Sequence, residues 1–241
     1  MPAHKAGSGK LAVITVGSRG IGLAMARTFA RSGYQVVITG RDSKRLRDAA
    51  NELSKEQGPV LALTCDVRDP ASVRKLFDEI KQHHPAIDVL INNAGIAHSL
   101  APADELPIET WKEVIDTNLT GTFLVTRSAL PLMRAGGSIV NNLSVAALQP
   151  FAGMSAYNAS KFGALGFTQA LREDLRKRGI RVLALLPGAT DTDIWDQFWA
   201  DAPKEKMISA ETVAEAVLHA VSTPANTSID EIRIGPAAGV L

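Results

Sequence analysis

Residues 11–22, LAVITVGSRGIG, decide the fold of this chain. The run LAVITV is apolar and rich in β-branched residues, which predicts a short buried strand. The glycines at positions 17, 20 and 22 then let the backbone turn tightly into a helix. A strand, a glycine-rich turn and a helix start in this order indicate a binding site for the pyrophosphate of a dinucleotide. The alternative is that these glycines only shape a turn.

Downstream of this stretch, short apolar runs alternate with amphipathic segments along the whole chain. This alternation predicts one open, parallel sheet with helices on both faces, and a long helix is expected from about Pro107 to Arg134. No linker or break in composition marks a second domain. We therefore expect a single doubly wound α/β domain over residues 10–241, after a loose tail over residues 1–9. The further predicted strands are QVVIT, PVLALTC, IDVLIN, GSIVNN, IRVLALL and IDEIRI.

Composition excludes several classes of function. The formal net charge of +1 over 241 residues provides no electrostatic footprint for nucleic acid or for an anionic membrane surface. No apolar run approaches the ~20 residues that a membrane span needs. The lone Cys65 lies in an apolar run, so we expect an inert buried thiol and, from cysteine usage, a cytoplasmic protein. The histidines lack the spacing of metal ligands, and no metal is predicted.

Tyr157 and Lys161 lie four residues apart in a predicted helix, so they share one face. An ammonium beside a phenol stabilises the phenolate, and we expect Lys161 to lower the pKa of Tyr157 from its usual ~10. Ser144 follows the fifth predicted strand, where its hydroxyl can hydrogen-bond a substrate carbonyl. Asn118 lies inside the long helix, an unfavourable place unless its amide is used. The alternative is an asparagine that bonds the backbone and bends the helix.

The second strand ends in Thr39-Gly40-Arg41, where folds that bind NAD have an acidic residue for the ribose hydroxyls. Here a glycine and an arginine replace it. Together with Arg19 in the first turn, Arg41 supplies two guanidinium groups that suit the 2′-phosphate of NADP. We therefore expect NADP(H) rather than NAD(H), with two solvated surface arginines as the alternative.

These motifs together resemble the short-chain dehydrogenase/reductase family, in its single-domain, NADP-preferring branch. The resemblance spans Leu11 to Ile234 and depends on TVGSRGIG, CDV, NNAG, Asn118, Ser144, YNASK and PGATDT in this order and spacing. It implies a Rossmann-type fold with seven strands and hydride transfer between a nicotinamide and a carbonyl or secondary alcohol substrate. It also implies a homodimer or homotetramer that works mainly as a carbonyl reductase.

The resemblance also assigns roles to residues. Tyr157 is the implied acid and base, and Ser144 orients the substrate oxygen. Lys161 tunes Tyr157 and binds the nicotinamide ribose, while Asn118 holds a water in a proton relay through Lys161. The implied cofactor-binding residues are Gly17, Ser18, Arg19, Ile21, Gly22, Arg41, Asp66, Val67, Asn93, Ala94, Gly95, Tyr157, Lys161, Pro187, Gly188, Thr190 and Thr192.

One residue departs from the family pattern. Val16 stands where the family has the first glycine of its motif, and a β-branched residue resists positive φ. We therefore expect weakened cofactor binding, which Val16→Gly would restore. This departure leaves open a second function, a nucleotide-binding sensor or scaffold with little turnover. A third, an epimerase or dehydratase of nucleotide sugars, would require an additional C-terminal substrate region.

Residues 194–199, IWDQFW, concentrate aromatic side chains just past the expected nicotinamide segment. They fit a substrate lid over residues 193–209, or equally a short amphipathic helix packed on the surface or on another subunit. Phe151 and Met154 are expected to add apolar wall to the pocket, and His98 could contact substrate. The C-terminal IDEIRIGPAAGVL is similar to that of hydroxy-acid and dicarbonyl reductases of the family.

Overall fold

Seven parallel strands form one sheet in the order β3-β2-β1-β4-β5-β6-β7. This architecture comes from a computed structural model that describes residues 9–57 and 59–239. Strands β1 and β6 are buried along nearly their whole length, as expected for a parallel sheet covered on both faces. The strand order reverses between β1 and β4, which opens a crevice at the carboxyl ends of these strands. The strands are β1 (Leu11–Ile14), β2 (Gln35–Gly40), β3 (Val60–Thr64), β4 (Ile87–Asn92), β5 (Met133–Asn142), β6 (Arg181–Pro187) and β7 (Glu231–Ile234).

Helices cover both faces of this sheet, which confirms the predicted doubly wound α/β fold. One hydrophobic cluster joins the sheet to α1, α2 and α7, and another joins its opposite face to α3, α5 and α6. The helix α3 begins as its sequence indicates, because the Asp69 carboxylate accepts the backbone N–H groups of Ala71 and Ser72. The helices are α1 (Gly20–Arg31), α2 (Ser43–Gln57), α3 (Pro70–His83), α4 (Ile108–Ile115), α5 (Gly121–Ala129), α6 (Ser155–Arg176) and α7 (Ala210–Val221).

The long helix predicted through Arg134 ends earlier. A π-helical turn at Asp116–Thr120 joins α4 to α5, the α-helix ends at Ala129, and a 3-10 turn at Leu130–Leu132 leads into β5. Pro131 cannot continue the α-helical hydrogen bonding, and Met133 already belongs to β5. The predicted end was wrong because the backbone of this segment pairs with β4, a long-range contact that local periodicity does not report.

Further sequence expectations concern the tail, the thiol and the helices. The predicted tail lies outside the described residues except for Gly9. Cys65 is buried, and desolvation raises the pKa of its thiol to about 11. Within the described part of the chain, no helix combines the length and apolar character that a bilayer crossing requires. Over the same residues, no group of three or more His, Cys, Asp or Glu side chains is arranged to hold a metal ion.

Candidate active site

A cavity of about 690 Å³ lies at the carboxyl ends of the strands. It is bordered by the turn between β1 and α1, the ends of β4, β5 and β6, the start of α6, and the aromatic segment after β6. The sequence-predicted residues that line it are Arg19, Ile21, Asn93, Gly95, Ser144, Tyr157, Lys161, Pro187, Gly188, Thr190 and Thr192. Those outside its lining are Gly17, Ser18, Gly22, Arg41, Asp66, Val67, Ala94 and Asn118.

At two of its glycines, the turn between β1 and α1 is packed too tightly for a side chain. A Cβ at Gly22 would overlap the carbonyl oxygen of Val16, and one at Gly17 would overlap the side chain of Ile38. Gly20 has a φ of +51°, which a glycine adopts without strain. The first turn of α1 has no side-chain cap and no acidic residue, so its backbone N–H groups remain available to an anion.

Val16 adopts the conformation that its residue type resists. Its φ is +53°, and among the described residues it is the only non-glycine with positive φ. Its carbonyl oxygen accepts a hydrogen bond from Asn93 Nδ2 at 3.1 Å, which helps to hold the turn in place. Such strain costs on the order of 1–3 kcal/mol. Val16 lines the cavity and also packs against the core cluster below the turn, so the departure from the glycine pattern borders the site itself.

The residues expected around the adenosine end have partners of their own. Arg68 bonds both carboxylate oxygens of Asp66, with Nη2 to Oδ2 at 2.7 Å. This ion pair holds the pKa of Asp66 below its usual range, and the charge of nearby Arg41 acts in the same direction. Val67 is buried against Gly121, so its side chain serves the core. Arg19 borders the cavity, whereas Arg41 is exposed beyond the end of β2.

Tyr157 and Lys161 share one face of α6, as predicted, and both line the cavity beside Ser144. The Nζ atom of Lys161 lies 5.5 Å from the centroid of the Tyr157 ring. It donates a hydrogen bond to the carbonyl oxygen of Asn142 at 3.1 Å, which anchors the ammonium to the end of β5. The hydroxyl of Ser144 accepts the N–H of Ala146 at 3.1 Å and so caps the turn that follows β5.

Burial controls the ionisation of Tyr157 and Lys161. Desolvation raises the pKa of Tyr157, and a hydrogen bond with Ser144 acts in the opposite direction. Desolvation also lowers the pKa of Lys161 to about 8. The expectation that Lys161 brings the pKa of Tyr157 below its usual value was wrong, because burial of the phenol outweighs the hydrogen bond with Ser144 and raises that pKa. Tyr157 is therefore a protonated phenol at neutral pH.

Asn118 bonds the backbone at a distortion of the helix, which is the alternative to a catalytic role considered above. It lies in the π-helical turn, and its Oδ1 accepts the N–H of Ile96 at 2.9 Å. Its Nδ2 donates to the Ile96 carbonyl at 2.9 Å and to Ser160 Oγ at 3.0 Å. The side chain thus ties the helix to the loop after β4. A Cβ added at Gly95 would lie 3.6 Å from Asn118 Oδ1 and 3.5 Å from Lys161 Nζ, so both polar atoms border one small space.

The aromatic segment after β6 forms one wall of the cavity. Its two short 3-10 turns, Asp193–Gln197 and Lys204–Lys206, replace the amphipathic helix considered above. The ring of Trp195 contacts those of Phe198 and Trp199, with centroids 5.0 and 6.1 Å away. Trp195 Nε1 donates to the carbonyl of Thr190 at 2.9 Å. Phe151 and Met154 line the same cavity, as expected.

The sequence of this site matches a known family. Residues 10–203 match the family model described as short chain dehydrogenase. The chain belongs to the short-chain dehydrogenases. Sulfoacetaldehyde reductase 2 of Chromohalobacter salexigens is 35% identical over 237 residues, which cover 94% of each chain. This chain is thus an oxidoreductase of that family.

Solved structures of short-chain dehydrogenases share this architecture. An alcohol dehydrogenase of Thermococcus sibiricus, complexed with 5-hydroxy-NADP, has a TM-score of 0.88 at 29% identity, covering 95% of this chain and 97% of its own. A short-chain dehydrogenase of Burkholderia cenocepacia, in complex with NADP, has a TM-score of 0.84 at 33% identity, covering 94% and 96%. The Rossmann-type fold predicted from the sequence is therefore confirmed.

Asn142 and His98 have structural roles in this short-chain dehydrogenase that the sequence did not indicate. Asn142 links Lys161 to the loop after β4, since its Nδ2 donates to Asn93 Oδ1 at 2.8 Å. His98 was considered as a substrate contact, but it is buried and does not line the cavity. Its Nε2 instead accepts the backbone N–H of Tyr157 at 3.4 Å. Neither role has a local sequence signal, because the partners are far apart in the chain.

Proposed function

We propose that this short-chain dehydrogenase catalyses the NADPH-dependent reduction of a carbonyl compound to an alcohol. One observation carries the proposal. Ser144, Tyr157 and Lys161 line the same cavity as the uncapped, glycine-rich start of α1. A proton donor and a dinucleotide site therefore face one space.

The residues present fit a nicotinamide dinucleotide. The N-terminus of α1 suits the pyrophosphate, and Arg19 with Arg41 would hold the 2′-phosphate that distinguishes NADP from NAD. The Oδ1 atom of Asn142 is buried in the cavity wall without a hydrogen-bond partner among the described residues, so it is open to a donor from a ligand. Val16 opposes this fit, because a β-branched residue stands at a positive φ in the turn that would hold the pyrophosphate.

The chain's own groups supply the proton chemistry. When bound, the nicotinamide provides the hydride that adds to the carbonyl carbon. The phenol of Tyr157 then donates its proton to the carbonyl oxygen as negative charge develops there. Ser144 donates a hydrogen bond to the same oxygen, where it stabilises the transition state more than the ground state. The raised pKa of Tyr157 suits carbonyl reduction, because the phenol must hold a proton before it can donate one to the substrate oxygen.

Lys161 would stabilise the phenolate that remains after this transfer. As negative charge appears on Tyr157, the affinity of Lys161 for its proton increases, since the two groups titrate as a coupled pair. We propose that Lys161 supplies the proton that restores the Tyr157 phenol after turnover, and that a water held by Asn118 and Lys161 in the space beside Gly95 passes a proton from solvent back to Lys161. The two polar atoms that border this space support that assignment.

Apolar side chains on the outer helices support the proposed homodimer or homotetramer. Phe123 on α5 and Phe162 on α6 are 44% and 45% exposed, and Trp111 on α4 is 37% exposed. A row of large exposed side chains across three adjoining helices fits burial against a second copy.

Turnover and binding together test the proposed function. The purified protein is mixed with NADPH and a panel of aldehydes and ketones, and oxidation is followed at the nicotinamide absorbance. The control is Tyr157→Phe, which keeps the ring and removes the hydroxyl. We expect Tyr157→Phe to lower kcat on the order of 100-fold or more while NADPH still binds. An unchanged rate in Tyr157→Phe would contradict the proposal.

The strained Val16 favours a second candidate, an NADPH-binding sensor or scaffold. That candidate predicts binding of NADPH without oxidation of the cofactor by any carbonyl in the panel. Turnover that depends on Tyr157 would exclude it.

A further inference from the structure

We infer that Arg233 forms an anion-binding subsite in the substrate part of the cavity. The substrate would then be a carbonyl compound with an apolar body and a carboxylate at its far end. This inference rests on the proposed function, whose Ser144 and Tyr157 set the position of the carbonyl group.

Strand register places Arg233 on the face of the sheet that carries α6. Arg233 pairs with Leu186 on β6, and paired residues of parallel strands project to the same face. Leu186 belongs to a hydrophobic cluster with Leu143, the residue before Ser144, and with Ala164 of α6. Arg233 therefore lies in one row with Leu186 and Leu143, two strand spacings or ~10 Å across the sheet from the backbone beside Ser144.

The guanidinium of Arg233 has no protein partner within residues 9–57 and 59–239. It is exposed at the cavity wall and forms no ion pair or side-chain hydrogen bond there. Two neighbouring arginines contrast with it: Arg172 donates to the Asp230 carbonyl at 2.7 Å, and Arg181 donates to Thr223 Oγ1 at 2.8 Å. Asp193 also lines the cavity but makes no ion pair with Arg233.

The other cations of the cavity are committed elsewhere. Lys161 is buried and bonded to the end of β5, and Arg19 lies in the turn that would hold the cofactor. The cavity that Arg233 shares with the reacting groups has a largely apolar lining, which includes Phe151, Trp195 and Phe198. Apolar walls suit an apolar substrate body, and a guanidinium at the rim can bind a carboxylate through two parallel charge-assisted hydrogen bonds.

A simpler explanation is that Arg233 only protects an edge strand. β7 ends the sheet, and charged residues on edge strands discourage pairing with other chains. Glu231 occupies the same face of β7 two residues earlier, and it is also exposed. Glu231 does not line the cavity, so the two explanations predict different effects of the two residues on substrate selection.

The experiment compares two aldehydes that differ only in charge, 4-formylbenzoate and its methyl ester. NADPH oxidation is measured with the intact protein and with Arg233→Gln, Arg233→Lys and Glu231→Gln. For Arg233→Gln we expect kcat/KM for the carboxylate to fall about tenfold, mainly through KM, with the ester changed less than about twofold. Arg233→Lys should lose less, and Glu231→Gln should keep the preference of the intact protein. NADPH affinity should be equal in all four proteins.

Equal efficiency with both aldehydes in the intact protein, or an equal loss for both in Arg233→Gln, would overturn the subsite. A change in oligomeric state alone, measured by light scattering, would assign Arg233 to the protection of the edge strand. If no carbonyl oxidises NADPH, the proposed function fails. The subsite is then judged from binding: 4-methylbenzoate should raise the Tm of the intact protein and not that of Arg233→Gln, and equal shifts would refute it.

Discussion

Val16→Gly isolates the effect of one side chain on the cofactor site. The backbone of this turn is held by Asn93, by the packing of Gly22 and by the Gly17 N–H to Thr39 carbonyl bond at 3.1 Å, so the substitution leaves its path unchanged. Relief of positive-φ strain stabilises the fold by ~1–3 kcal/mol. Greater flexibility of the unfolded chain costs ~0.5–1 kcal/mol. Loss of a partly buried isopropyl group costs about another 1 kcal/mol. The free energy of unfolding should therefore change little.

The affinity for NADPH responds differently from the stability. The positive-φ strain is nearly equal in the folded protein with and without NADPH, and the entropy of the unfolded chain does not enter binding, so both cancel. What remains is the side chain of Val16 itself, on a residue that lines the cavity and packs against the core. We expect its removal to favour NADPH by about 1 kcal/mol, or roughly fivefold in Kd. A fluorescence titration with NADPH measures the affinity, and urea unfolding measures the stability.

Val16→Ala is the matched control. It removes the γ-methyl groups and keeps a Cβ at positive φ. We expect Val16→Ala to gain most of the affinity and to lose about 1 kcal/mol of stability, since its strain remains. An unchanged or weaker affinity for NADPH in both variants would refute the reasoning.

Three further predictions concern charge and buried polarity. Arg19→Gln and Arg41→Gln should each raise the Kd for NADPH about tenfold and leave the Kd for NADH nearly unchanged, as measured by titration with both cofactors; equal losses for both would contradict the 2′-phosphate assignment. Because the folded protein lowers the pKa of Lys161 from 10.5 to about 8, the unfolded chain binds more protons between these values, and the free energy of unfolding should rise with pH there. Lys161→Met should flatten this rise in urea titrations at pH 8 and pH 10, and an unchanged slope would contradict it. Asn141→Leu should destabilise the fold by ~2–3 kcal/mol, because in the core Asn92 Nδ2 loses one of its two acceptors, Asn141 Oδ1 at 2.8 Å, and Thr168 Oγ1 loses its donor, Asn141 Nδ2; urea unfolding checks this, and a loss below about 0.5 kcal/mol would refute it.

Several features of the site could be predicted because they depend on neighbours in the sequence. Tyr157 and Lys161 share a face wherever their segment is helical, and Asp69-Pro70 begins a helix whatever packs against it. Other features depend on residues far apart in the chain. The direction of the Tyr157 pKa shift follows from burial by distant elements, and the contact of His98 with α6 spans 59 residues of sequence.

The amino-acid sequence by itself determined the doubly wound sheet and the residues that face its carboxyl edge, because apolar periodicity, glycine turns and helix caps act over a few residues. Only the tertiary structure decided that the long helix stops at Ala129, that Val16 takes a positive φ, and that Arg233 shares a cavity with Ser144. Each of these depends on strands or turns that meet across the sheet. Their energies come from packing and desolvation among residues that the chain order keeps apart.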